Sequence, residues 1–137
     1  MGEVSLTVVL DASALLAYLQ GEPGEEILDQ VLAESVMSSV NWAEVVQKSI
    51  AAGVEVEGML DDLQALGLII EPFTAEDGEM AGRLWEQTRR AGLSLGDRAC
   101  LSLGLRLEVP VLTSDRAWGS LNLSWRCVKP PHFNRGI

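Results

Sequence analysis

Along this chain the spacing of apolar positions switches repeatedly between a strand-like and a helix-like period. Val4–Leu10 alternates and is rich in β-branched residues, which predicts a strand ending at Asp11. Ala12–Leu19 then reads as a short helix stopped near Gly21. Pro23-Gly24-Glu25-Glu26 opens another helix through about Ala33, with acids in its first turn. Val36–Val40 is a short strand. Asn41 is expected to cap a helix running to Gly53, and an amphipathic helix over about Val56–Leu66 closes at Gly67. Leu68–Phe73 reads as a strand, and Thr74 starts a helix to about Arg90. Ser94 caps a helix over Leu95–Leu107, and Pro110–Thr113 is a buried strand. Asp115–Leu121 reads as a single helical turn, and Trp125–Val128 as a last short strand.

Strands that alternate with helices need crossover connections. The pattern therefore predicts an α/β fold, with a mostly parallel central sheet flanked by helices. No linker, internal repeat or low-complexity stretch interrupts it. One domain is expected over residues 1–137, with a short tail from about Lys129.

Composition narrows the class. With 47% hydrophobic residues the chain can build a core, which excludes disorder. Two cysteines, Cys100 and Cys127, both in apolar stretches, read as buried thiols in a reducing compartment rather than as a disulfide scaffold. No apolar run is long enough to span a bilayer, and Glu3 stands where an export signal needs positive charge. The expectation is a cytoplasmic protein with no membrane contact.

The net charge of −10 argues against a polyanionic partner, but its distribution argues the other way. Residues 1–79 carry 16 acids and a single base, Lys48. Residues 80–137 carry four acids and nine bases: Arg83, Arg89, Arg90, Arg98, Arg106, Arg116, Arg126, Lys129 and Arg135. Such asymmetry points to a polyanion contact through the C-terminal part, or to no more than solvated arginines.

Ligands of parallel sheets gather at the carboxyl ends of the strands. Asp11 ends the first strand, and Asp115 follows the strand Pro110–Thr113 by two positions. Glu44 lies in the first turn of the helix after the second strand, and Asp97 in the first turn of the helix after Ser94. Each acid has another possible role. Asp11 and Asp115 can cap the segments that follow them, and Asn41-x-x-Glu44 and Ser94-x-x-Asp97 both have capping-box spacing. Taken together, several neighbouring carboxylates repel, so the site must protonate or recruit a cation. Oxygen donors without Cys or His favour a hard ion, Mg²⁺ or Mn²⁺. His132 is the single histidine, which leaves little for a Ser-His-Asp, Cys-His or His-rich zinc site. Neither a phosphate-binding P-loop nor a dinucleotide-binding glycine motif is present.

Four stretches carry a family likeness: Val9-Leu10-Asp11-Ala12-Ser13-Ala14, Asn41-Trp42-Ala43-Glu44-Val45, Leu95-Gly96-Asp97-Arg98-Ala99-Cys100-Leu101 and Leu112-Thr113-Ser114-Asp115-Arg116-Ala117-Trp118. In this order they resemble the four motifs of PIN-domain ribonucleases, most closely the VapC toxins of toxin–antitoxin pairs. The resemblance implies an Mg²⁺- or Mn²⁺-dependent endoribonuclease that is dimeric and inhibited by a small VapB partner. It puts the core acids at Asp11, Glu44 and Asp97, the fourth at Asp115, and supporting hydroxyls at Ser13 and Thr113. Arg98 and Arg116, each beside a site acid, either contact RNA phosphates or balance Asp97 and Asp115. Trp42 and Trp118 flank the motifs and either pack or stack on bases. The acidic N-terminal half departs from what an RNA-cleaving surface leads one to expect.

Two alternatives belong to other classes. A catalytically weak PIN-like protein would only bind a partner. A phosphoacceptor signalling domain would explain Lys129-Pro130, but needs an acid pair after the first strand and an Asp ending the third, where the sequence has Thr74.

Overall fold

The computed structural model describes residues 7–21, 32–114 and 127–128. The first strand, β1 (Val8–Leu10), is fully buried and leads directly into α1 (Ala12–Leu19). A 3₁₀ turn at Leu32–Glu34 precedes β2 (Ser35–Ser38) and α2 (Ser39–Ala51). There follow α3 (Met59–Ala65), β3 (Ile69–Glu71), α4 (Ala75–Arg83) and α5 (Trp85–Thr88). After a 3₁₀ turn at Arg89–Ala91 come α6 (Leu95–Leu107), β4 (Val111–Leu112) and β5 (Cys127–Val128). The expected helix from Pro23 and the turn over Asp115–Leu121 lie outside the described residues, apart from the 3₁₀ turn at Leu32–Glu34.

All strand pairs are parallel, in the order β3-β2-β1-β4-β5. From β1 the chain steps outward through β2 to β3, then returns to the other side of β1 as β4. The switch point lies between β1 and β4, where such sheets open a crevice for ligands.

Strand residues alternate between the two faces. Val8 and Leu10 join Leu15 of α1, Met37, Val45 of α2, Leu63 of α3 and Leu112 in one core cluster. Val9, Val36 and Val111 join Leu84, Cys100, Leu101 and Leu103 in the other. A sheet covered on both faces needs apolar residues at successive positions, which is why the strands read as runs as much as alternations.

Boundaries differ from the sequence reading at several elements, most informatively at α2 and after Thr74. Asn41 does not cap α2: the helix starts at Ser39, and the Ser38 hydroxyl accepts from the Val40 N–H at 3.2 Å. The expected helix from Thr74 to Arg90 is three pieces, with Thr88 bonding back from its hydroxyl to the Leu84 carbonyl at 2.8 Å. Gly67 does close α3. Its φ of 113° is in the range that favours glycine, and a Cβ there would stand 2.5 Å from the Ala33 Cα.

A buried ion pair locks α4 to α6. Thr74 and Asp77 form a reciprocal capping box at the start of α4. Arg106 of α6 donates to both Asp77 oxygens, at 2.8 and 3.2 Å. Burial alone would raise the Asp77 carboxyl, but the Arg106 bonds and the Thr74 N–H outweigh it and hold it below the usual range. Arg106→Ala should cost about 2 kcal/mol at neutral pH, because it strands a buried, charged acceptor. The cost should be full at neutral pH and should shrink at a pH below the ordinary carboxylate range, where folded Asp77 at last gains a proton and the pair is lost in the parent too. Denaturant titrations at the two pH values measure the difference.

Candidate active site

Asp11 sits at the switch point. Its backbone N–H continues the sheet to the Leu112 carbonyl at 3.2 Å, and its side chain caps α1 through the Ala14 N–H at 2.9 Å. The same oxygen accepts from the Ser13 hydroxyl at 2.8 Å. The other oxygen accepts a short bond from the Thr113 hydroxyl, which enters from the end of β4. Ser13 in turn accepts from the Ser114 N–H at 3.1 Å and lies 3.3 Å from Thr113 Oγ1. Asp11 is therefore both a cap and the centre of a hydroxyl-lined carboxylate site. Burial pushes its carboxyl up to about 7, against the bonds from Thr113, Ala14 and Ser13, and the negative charge of Asp97 adds to the rise.

Asp97 reaches this neighbourhood from the N-terminus of α6. The capping box expected at Ser94 is present: the Asp97 N–H donates to Ser94 Oγ at 3.1 Å, and Asp97 Oδ2 accepts from the Ser94 N–H at 3.0 Å. Capping and a place in the acidic cluster are compatible. The negative charge of Asp97 raises the Asp11 carboxyl, the smallest of the influences on it.

Glu44 is held by a residue that the sequence reading took for a helix cap. Asn41 is 1% exposed, and its amide nitrogen donates to Glu44 Oε1 and to the Gly96 carbonyl, both at 3.0 Å. The amide ties the Glu44 carboxylate to the first turn of α6, one residue before Asp97. Gly96 leaves the room for it: a Cβ there would lie 2.5 Å from Glu44 Oε2. Both Asn41 and Gly96 were missed as site residues. Their signal was present only as polar or absent side chains inside the motifs.

Other expected residues fall elsewhere. Arg98 donates from Nη1 to the Ala81 carbonyl of α4 at 2.8 Å, so it braces α4 against α6 and is not paired with Asp97. Trp42 packs against the core cluster that contains Val45 and Leu63. Asp115, Arg116 and Trp118 lie outside the described residues, as do Lys129 and Pro130. The signalling-domain alternative fares poorly, since the third strand ends at Glu71, whose carboxylate lies 3.8 Å from Arg106.

The donor set is one of hard oxygens, without thiol or imidazole, which suits a hard divalent cation. Among the described residues no three acids stand close enough to hold an ion by themselves.

A parallel sheet with helices on both faces and a buried carboxylate at its switch point defines a carboxylate-centred site. The family model described as PIN domain matches residues 8–122, and the chain belongs to that family, whose members are nucleases. No curated protein sequence matches the chain. Solved structures do. A toxin–antitoxin complex from Klebsiella pneumoniae superposes with a TM-score of 0.66 at 16% identity, over 82% of this chain and 91% of that one. VapBC2 from Rickettsia felis, bound to a DNA fragment from the promoter, gives 0.66 at 17% over 90% and 98%. DNA-bound VapBC from Salmonella typhimurium gives 0.63 at 14% over 90% and 98%. At such identities the likeness is one of fold. Among the described residues no helix is long and apolar enough to cross a membrane.

Proposed function

We propose that this chain is a metal-dependent endoribonuclease, the toxin of a VapBC-type toxin–antitoxin pair acting in the cytoplasm. The observation that carries this reading is the Asp11 carboxylate. It is buried at the switch point of a PIN sheet and oriented by Ser13 and Thr113, with Asp97 close enough to act on it electrostatically. Asp11, Asp97 and Asp115 would hold Mg²⁺ or Mn²⁺, with Glu44 bound directly or through water. When bound, such a cation stabilises charge developing on the phosphoryl oxygens and makes water a better nucleophile. The chain supplies the geometry. Ser13 and Thr113 fix both Asp11 oxygens, and Asn41 fixes Glu44, so the carboxylates meet the substrate in one orientation. The rim carboxylates would accept hydrogen bonds from the attacking water and so orient it.

Two surfaces support the partners in this reading. A cleft of about 260 Å³, lined by apolar residues such as Leu16, Leu19, Val54 and Met59 with Gln20 and Lys48 among them, lies at the C-terminal ends of α1 and α2 and suits a segment of a small antitoxin. Val54, Leu66 and Ile69 leave half of their surface exposed around α3 and β3, which favours a homodimer.

Labelled RNA incubated with Mg²⁺ should be cut, and the same mixture with EDTA should not. Asp97→Asn should lower cleavage at least about a hundredfold, since an amide is a weaker ligand for a hard cation than a carboxylate. Its metal-free stability should fall by no more than about 1 kcal/mol, because the lost helix-dipole interaction is partly offset by relief of repulsion from Asp11. A variant that cleaves like the parent but melts lower in EDTA would reduce Asp97 to a cap.

A further inference from the structure

The short helix α5 carries an aromatic surface that the site chemistry does not use. Trp85, at its first position, is 50% exposed, although burying a tryptophan is among the largest apolar gains a side chain can make. One turn later on the same face, the Arg89 guanidinium carbon lies 5.1 Å from the ring centroid, a cation–π contact that stiffens both groups in water. The neighbouring cations are differently engaged. Arg83 is held by Glu79 at 2.8 Å, and Arg98 by the Ala81 carbonyl. Arg89 and Arg90 make no ion pair among the described residues, and Glu86 between them and Trp85 makes none either.

This cluster adjoins the acidic rim along the chain. The 3₁₀ turn Arg89–Ala91 ends at Gly92, whose φ of 74° reverses the backbone, and two residues later Ser94 caps the helix that carries Asp97. Leu95, 58% exposed, lies between the two. Residues 1–79 offer a polyanion little, with 16 acids and one base. A polyanion that reaches the rim is therefore drawn in over α5 and the turn that follows it.

From this we infer a subsite for single-stranded RNA beside the active site, in which an unpaired base stacks on Trp85 while Arg89 and Arg90 contact the adjoining phosphates. It rests on the ribonuclease reading and adds where the strand lies. An exposed ring needs an unpaired partner, since the π-face of a base in a duplex is covered by its neighbours. Two guanidiniums with no ion pair among the described residues complement phosphate, whereas an apolar protein surface would leave them desolvated and unmatched.

Binding in EDTA separates affinity from cleavage. With a fluorescein-labelled single-stranded RNA as probe, Trp85→Ala should weaken binding roughly tenfold or more, and Trp85→Phe should keep most of it. Arg89→Ala should weaken binding and flatten its salt dependence, lowering the slope of log K against log salt by about 0.7. The duplex of the same sequence should bind Trp85→Ala as it binds the parent. Equal single-strand affinity for Trp85→Ala and a parent that cleaves RNA would overturn the subsite alone. A change of oligomeric state in Trp85→Ala by light scattering would overturn it in favour of an interface between copies. A parent that neither binds nor cuts RNA would overturn the ribonuclease reading as well.

Discussion

Free of divalent ions, the protein should lose stability as pH rises from about 5 to about 8, and Asp11→Asn should remove most of that loss. The cause is the raised Asp11 carboxyl, at about 7 in the folded chain against 3.8 when unfolded. Between those values the folded state holds a proton that the unfolded state has released, so stability falls with each unit of rising pH. Above the folded value the full penalty is present, about 4 kcal/mol for a shift of this size. Below the unfolded value it vanishes, because both states are protonated. Asparagine keeps the acceptor for Ala14 and Ser13 and has no charge to bury, so its melting temperature should vary much less over this window. Saturating Mg²⁺ or Mn²⁺ at about pH 8 should restore the parent, since binding to the folded state alone adds about 2.7 kcal/mol at a hundred times Kd. It should do nothing for Asp11→Asn, whose cleavage should also be lost. A parent whose metal-free melting temperature is flat from pH 5 to 8 would mean that Asp11 stays ionised in spite of its burial.

The elements that were legible in the sequence are those whose signal is local. Ser94 and Asp97 specify a capping box three residues apart, and α6 starts where they put it. The β1–α1 junction at Asp11 was equally readable, because an acid between a β-branched run and a short helix has one local use as a cap. Asn41 shows where locality ends. An asparagine near a helix start reads as a cap, but the register of β2 with β3 ends the strand at Ser38 opposite Glu71, and the helix begins from there. Asn41 then lies within the helix, and its partner, the Gly96 carbonyl, is 55 positions away. The switch point has the same character. That Thr113 meets Asp11 follows from β4 returning to the side of β1, which is a matter of strand order and not of spacing. The family likeness named the acids and the Ser13 and Thr113 hydroxyls that bond to Asp11; it said nothing of Asn41 and Gly96, which place Glu44.

Gly96→Ala should test that geometry most sharply, because it should separate the fold from the chemistry. Alanine suits the first turn of α6, and replacing glycine within a helix contributes up to about 1 kcal/mol of stability. The added Cβ would lie 2.5 Å from Glu44 Oε2, 2.7 Å from its Cδ and 2.8 Å from Oε1. No carboxylate remains at such distances, and the side chain of Glu44 is the flexible partner, so Glu44 moves while the backbones stay. The expected variant is as stable as the parent or slightly more so, and cuts RNA roughly a hundredfold more slowly, the scale set by ångström-size misplacement of a catalytic group. Asn41→Ala should slow cleavage in the same direction but should also cost stability, since it removes a fully buried side chain that makes two hydrogen bonds and leaves a void. The decisive comparison is a double-mutant cycle. If Gly96→Ala acts by displacing Glu44, adding it to Glu44→Ala should change cleavage hardly at all, because the displaced group is already gone. Additive losses in the double variant would show that glycine serves the site by some other route, such as the approach of substrate to the start of α6.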